Sequence, residues 1–165
     1  IRRQRQMCIR DSRKSLVVAG THGKTTTASL LGWVLHAVGK TPGIMVGGWM
    51  NNFDSNYCMP QGEYFVVEGD EYDTAFFDKE PKFLHYRPYA SILSGIEFDH
   101  ADIFQDLQHI QSAFQKFVNI INPKGFLLVD ESGANGEDVL EKATCVIETY
   151  GWSEKATWRI QEYRF

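Results

Sequence analysis

The chain is 165 residues long, 43% hydrophobic and 23% charged, with a formal net charge of −4. That size and balance suit one globular domain with its own core and exclude a disordered or fibrous chain. No apolar run approaches the ~20 residues of a membrane span.

Residues 1–14 carry Arg2, Arg3, Arg5, Arg10, Arg13 and Lys14 against Asp11 alone. With no aromatic residues interleaved, this stretch reads as a solvated helix or linker entering the domain rather than a nucleic-acid arm. It leads into a strand and not into the apolar core of a secretory signal. Cys8, Cys58 and Cys145 are widely spaced and form no metal-binding pattern, so they read as reduced packing residues of a cytoplasmic protein.

Leu16-Val17-Val18-Ala19 is the apolar run of a buried parallel strand. It breaks at Gly20, turns through Thr21-His22-Gly23, and restarts at Lys24 with helical periodicity. A strand, a glycine turn and a helix N-terminus make a phosphate cradle, because the first helical N–H groups have no intrahelical acceptor. Gly20 and Gly23 let the backbone approach an anion. Lys24 supplies a charge for the β- and γ-phosphates, and the hydroxyl of Thr25 or Thr26 can reach a magnesium ion. The candidate nucleotide-binding residues are therefore Gly20, Thr21, His22, Gly23, Lys24, Thr25 and Thr26. The standard P-loop spacing is not met, since its first glycine would fall on Val18.

The spacing of Leu30, Leu31, Val34, Leu35 and Val38 predicts a helix over 25–38 with Gly39 as its C-cap. Ile44-Met45-Val46 is a short strand stopping at Gly47-Gly48, and 49–62 reads as a loop. Strands follow at 63–68 and 89–93, a helix at 105–120, a strand at 126–129, a short helix at 137–143 and a strand at 144–150. The period-two tail from Lys155 to Phe165 predicts an exposed, antiparallel strand. The alternation implies an α/β fold with a mostly parallel sheet flanked by helices and a C-terminal antiparallel extension. Ligands then sit beyond the carboxyl ends of the strands.

Two acidic clusters fall on that same edge. Glu68-Gly69-Asp70-Glu71-Tyr72-Asp73 places four acids in six residues. They repel one another unless a cation or hydrogen bonds intervene, and a hard ion such as magnesium fits, with Glu68 the first choice of ligand. Glu97-Phe98-Asp99-His100-Ala101-Asp102 lies after another strand. There His100 can bind a second magnesium ion or a phosphoryl oxygen, with Asp99 orienting its ring.

The segments Gly-Thr-His-Gly-Lys-Thr-Thr (20–26), 67–79 and 97–104 resemble the Mur ligases, ATP-dependent amide ligases of peptidoglycan assembly. They are most similar to the branch that joins UDP-N-acetylmuramate to the murein tripeptide L-alanyl-γ-D-glutamyl-meso-diaminopimelate. The resemblance implies a P-loop NTPase-like central domain (15–165), entered by the 1–14 linker from a uridine-nucleotide-binding domain and followed by a C-terminal domain. It implies ATP and Mg2+ as cofactors, with Lys24, Glu68 and His100 as catalytic residues and Thr25, Glu68 and His100 serving the metal. It also implies that Lys24→Ala removes most activity while leaving the fold intact. Two departures stand out. Phe114 aligns with the carbamylated lysine of several members, with Lys116 roughly 200° away on the helix. Gly95 stands where the family often has Asn. The L-alanine-adding branch is the alternative, folylpolyglutamate synthase fits less well, and a non-catalytic nucleotide-binding module is the alternative of another class.

Overall fold

The computed structural model describes residues 13–75, 78–97, 106–132 and 137–162. Ten strands are described: β1 (Lys14–Ala19), β2 (Gly43–Met50), β3 (Ser55–Cys58), β4 (Tyr64–Glu68), β5 (Asp73–Ala75), β6 (Asp78–Pro81), β7 (Ala90–Leu93), β8 (Phe126–Asp130), β9 (Val146–Gly151) and β10 (Trp158–Arg159). Helices α1 (Lys24–Ala37), α2 (Leu107–Asn119) and α3 (Glu137–Leu140) accompany them, with a 3-10 turn at Lys82–His85. The main sheet runs β10-β9-β8-β7-β1-β4-β2-β3, and β5 and β6 form a separate hairpin. Every neighbouring pair in the main sheet is parallel except β2 with β3.

The continuous apolar run of β1 is explained by its central place. Val17 and Ala19 join a core with Phe65, Val67, Leu93, Leu127 and the α2 residues Ile110, Phe114, Phe117 and Val118. Val18, pointing the other way, joins Ala28 of α1 with Ile44, Val46 and Val66. Successive strand residues thus feed two cores, one on each face of the sheet.

Helix α1 lies closer to the sheet than its leucines suggest. Ala28 and Gly32 are its buried residues, and a Cβ on Gly32 would come within 2.6 Å of the Ile44 Cδ1. Leu31 and Leu35 pack beside them, whereas Leu30, Val34 and Val38 are exposed. The expected five-residue stripe is therefore two residues, because small side chains make the contact. Gly39 adopts φ 78°, and its N–H reaches the His36 carbonyl while Lys40 N–H reaches Leu35. That is a Schellman closure with Gly39 one position past the cap.

Two expectations change. Strand β2 does not stop at Gly47-Gly48 but continues to Met50 and turns back into β3, inside the stretch read as a loop. Glycines in a strand here mark a close approach rather than an end. Asp54, at φ 48°, completes the reversal. The C-terminal extension is also not antiparallel: the two residues of β10 pair with β9 in parallel, Trp158 opposite Tyr150. Period-two alternation reports which side chains face out, not strand direction, and the antiparallel edge is β3, at the opposite side. The β5–β6 hairpin and the turn at Lys82–His85 had no forecast. Phe83 in that turn is fully buried, with its ring 5.3 Å from Phe114 and 4.8 Å from Phe117. Among the described residues, no helix is long and apolar enough to cross a membrane.

Candidate functional site

The parallel register brings three strand ends together. Val18 pairs with Glu68 at the end of β4, and Ala19 pairs with Leu93 at the end of β7. The turn after β1 therefore emerges between the β4 acids and the segment following β7.

Gly20 has φ 126° and Gly23 φ 77°, a region that costs other residues roughly 1–3 kcal/mol. At Gly20 the space is closed as well, since a Cβ would lie 2.4 Å from Ser94 Oγ and 2.9 Å from the Gly95 carbonyl. The turn is clasped to that segment: Thr21 N–H donates to Gly95 O at 3.0 Å. The Thr21 hydroxyl accepts from Glu97 N–H at 2.9 Å and lies 3.2 Å from the Glu97 carbonyl. Ser94 Oγ donates to the His22 carbonyl at 2.7 Å. Thr21 thus spends its polar groups shaping the loop. His22 is exposed, with Nε2 3.6 Å from the Glu97 carboxylate.

Gly23 is the N-cap of α1 and offers no side-chain cap. The first helical bond runs from Thr27 N–H to Gly23 O, so the N–H groups of Lys24, Thr25 and Thr26 precede the ladder and open toward an external acceptor. Thr25 is half-buried and Thr26 exposed. The Thr25 methyl stands 2.8 Å from where a Cβ on Gly48 would be, so a larger residue in β2 would displace it.

Lys24 folds back over its own loop. Its Nζ donates to Gly20 O at 2.8 Å, Thr21 O at 3.0 Å and Glu71 Oε1 at 2.9 Å. The Glu71 side chain is 4% exposed and that of Lys24 16%. Asp70 is tied elsewhere, with Oδ2 2.8 Å from Lys82 Nζ and Oδ1 accepting from Tyr72 N–H. Glu68 Oε1 accepts from Gly47 N–H at 2.8 Å. The repulsion read from sequence is thus relieved for Asp70 and Glu71 by lysines of the chain itself. A cavity of about 550 Å³ opens here, its lining including Lys24, Gly47, Asn56, Glu68, Glu71 and Tyr86.

Glu68 and Thr25 supply hard oxygen donors of the kind magnesium prefers, and β2 passes both at Gly47 and Gly48. No group of three or more metal-binding side chains occurs among the described residues. His100 and Asp99 lie outside the described residues. Phe114 is buried in the α2 core, and Lys116 is on the surface, 2.9 Å from Glu80. Gly95 takes φ 128°, a conformation that suits glycine better than asparagine. Sequence reasoning missed Ser94, the Thr21–Glu97 clasp and the Lys24–Glu71 pair. Their one signal was position, at the carboxyl ends of adjacent strands.

The Mur ligase middle domain family matches residues 18–165. The Escherichia coli (strain K12) UDP-N-acetylmuramate–L-alanyl-γ-D-glutamyl-meso-2,6-diaminoheptandioate ligase is 42% identical over 89% of this chain and 32% of its own length. The crystal structure of the like-named ligase from Neisseria meningitides superposes with a TM-score of 0.84 at 41% identity, covering 90% of this chain and 48% of that one. A UDP-N-acetylmuramate–L-alanine ligase of Carboxydothermus hydrogenoformans is 38% identical over 92% of this chain and 31% of its own length. The chain spans about a third of the length of these curated relatives. With the family matched over nearly all of its residues, the chain belongs to the Mur ligase middle domain family.

Proposed function

We propose that this chain is the central ATP-binding domain of a cytoplasmic ligase of peptidoglycan recycling. The enzyme joins UDP-N-acetylmuramate to L-alanyl-γ-D-glutamyl-meso-diaminopimelate. The observation that carries the reading is the loop from Gly20 to Lys24, which opens an uncapped helix N-terminus beside the Glu68 end of β4.

In the proposed reaction the lactyl carboxylate attacks the γ-phosphorus of ATP, forming an acyl phosphate and releasing ADP. The peptide amine then attacks the acyl carbon, loses a proton, and expels inorganic phosphate as the amide forms. Such transfers depend mainly on positioning and charge neutralisation. The backbone N–H groups of the loop and of the first turn of α1 hold the phosphates, with Gly20, Thr21, His22 and Gly23 setting the loop's shape. Lys24 offsets their charge. Thr25, with Thr26 beside it, Glu68 and His100 would hold magnesium, which supplies further neutralisation of phosphate charge. By this reading the central domain on its own forms little or no amide product, because other domains of the ligase present the other substrates.

The test is phosphate release by the full-length protein with ATP, magnesium and UDP-N-acetylmuramate, given either the tripeptide or L-alanine. Release with the tripeptide alone is expected. Release with L-alanine alone would move the chain to the branch of the Carboxydothermus relative, a second reading favoured by that 38% identity. ATP binding with release in neither tube would make it a non-catalytic nucleotide-binding module.

A further inference from the structure

The Lys24 ammonium has three N–H donors and three acceptors: the Gly20 carbonyl, the Thr21 carbonyl and Glu71 Oε1. A phosphate oxygen can bond this nitrogen only by replacing one of them. The two carbonyls belong to the loop, whose path is fixed by Thr21 on Gly95 and Glu97 and by Ser94 on His22. Glu71 comes from a separate element, the segment leaving β4, and carries the only charge among the three acceptors. A carboxylate and a phosphate crowded onto one ammonium also repel each other. We propose that Glu71 is a positioning residue that stands in for nucleotide phosphate, holding Lys24 over the loop until the phosphate displaces it. The inference rests on the loop being a nucleotide site.

This arrangement makes Glu71 a competitor. It keeps the lysine aimed and the pair neutral in the empty site, and nucleotide binding works against it. Removing the charge while keeping an acceptor should therefore tighten binding, the reverse of what loss of a merely structural residue or a phosphate ligand would do.

The experiment is equilibrium binding of ADP to full-length wild-type protein and the Glu71→Gln variant, with magnesium and again with chelator. The expected result is a Kd about tenfold lower in the variant under both conditions, the scale for removing one like charge from a partly buried site. The Glu71→Asp variant, which withdraws the carboxylate by one methylene, should show a smaller gain and serves if Glu71→Gln does not fold. Unchanged or weaker ADP binding in folded variants, with wild-type binding intact, would overturn the role of Glu71 and leave the phosphate loop standing. Wild-type protein that binds no ADP would overturn both.

Discussion

The resemblance read from sequence implies that Lys24→Ala removes most activity while leaving the fold intact, and the structure changes the second half of that statement. Lys24 is the ammonium partner of Glu71, whose side chain is 4% exposed. Breaking a buried pair by removing one member costs ~3–5 kcal/mol, because the remaining charge is left in a poor solvent. Here Lys24 is itself 16% exposed and Glu71 makes further contacts, so about 2–3 kcal/mol is the reasoned loss. That is a large part of a stability of order 5–15 kcal/mol and corresponds to a fall in Tm of roughly 5–10 °C for a domain of this size. Urea unfolding followed by tryptophan fluorescence measures it. The double variant Lys24→Ala/Glu71→Gln removes the stranded charge and should recover more than half the loss, while nucleotide binding stays poor. A Lys24→Ala protein as stable as wild type, or a double variant no more stable than the single one, would refute the argument.

Gly20→Ala combines a φ of 126° with a Cβ driven against Ser94 and Gly95. It should cost about 2–4 kcal/mol and abolish ADP binding, both read by titration calorimetry and thermal melts. Phe114→Ala opens a cavity between Phe83 and the sheet, for a loss of ~3–5 kcal/mol in urea unfolding with ADP affinity retained by the folded fraction. The Glu131 carboxyl is held below the usual carboxylate range, first by the Ser153 hydroxyl and then by backbone N–H groups. A depressed acid stabilises the fold above its unfolded pKa and loses that contribution as pH falls through the folded one. Ser153→Ala should therefore flatten the acid limb of the stability–pH curve, as followed by melts from neutral to acid pH.

Much of the fold was legible because strands buried on both faces are written as unbroken apolar runs. Val17-Val18-Ala19 and Phe65-Val66-Val67 are short, valine-rich runs closed by a glycine or an acid, the form such strands take, and α2 carries its core residues at strict helical spacing. The failures share a cause: the residue pattern reports burial, and several decisive features depend on pairing instead. Gly47-Gly48 reads as a stop, yet the backbone pairs on to Met50. Trp158 alternates like an antiparallel edge, yet it runs beside Tyr150 in the same direction. Helix α1 packs through Ala28 and Gly32, which a search for large apolar residues overlooks.

The site divides along the same line. The turn at Gly20 and Gly23 and the helix start at Lys24 were readable because loop conformation and helix start are local, carried by neighbouring residues. What Lys24 touches is not local: Glu71 lies 47 positions away, and only the parallel pairing of β1 with β4 brings it near. Asp70, on the segment leaving β4, is taken up by Lys82 and the Tyr72 N–H; the two acids that face the loop can bind a cation beside a nucleotide or compete with it for the lysine. Glu68, held by a β2 N–H and with no lysine partner among the described residues, has the setting of the first kind. Glu71, already on the lysine, has that of the second. One acidic cluster, uniform in sequence, therefore contains two opposed electrostatic roles. Neutralising Glu68 should weaken magnesium-dependent nucleotide binding, whereas neutralising Glu71 strengthens binding with or without the metal.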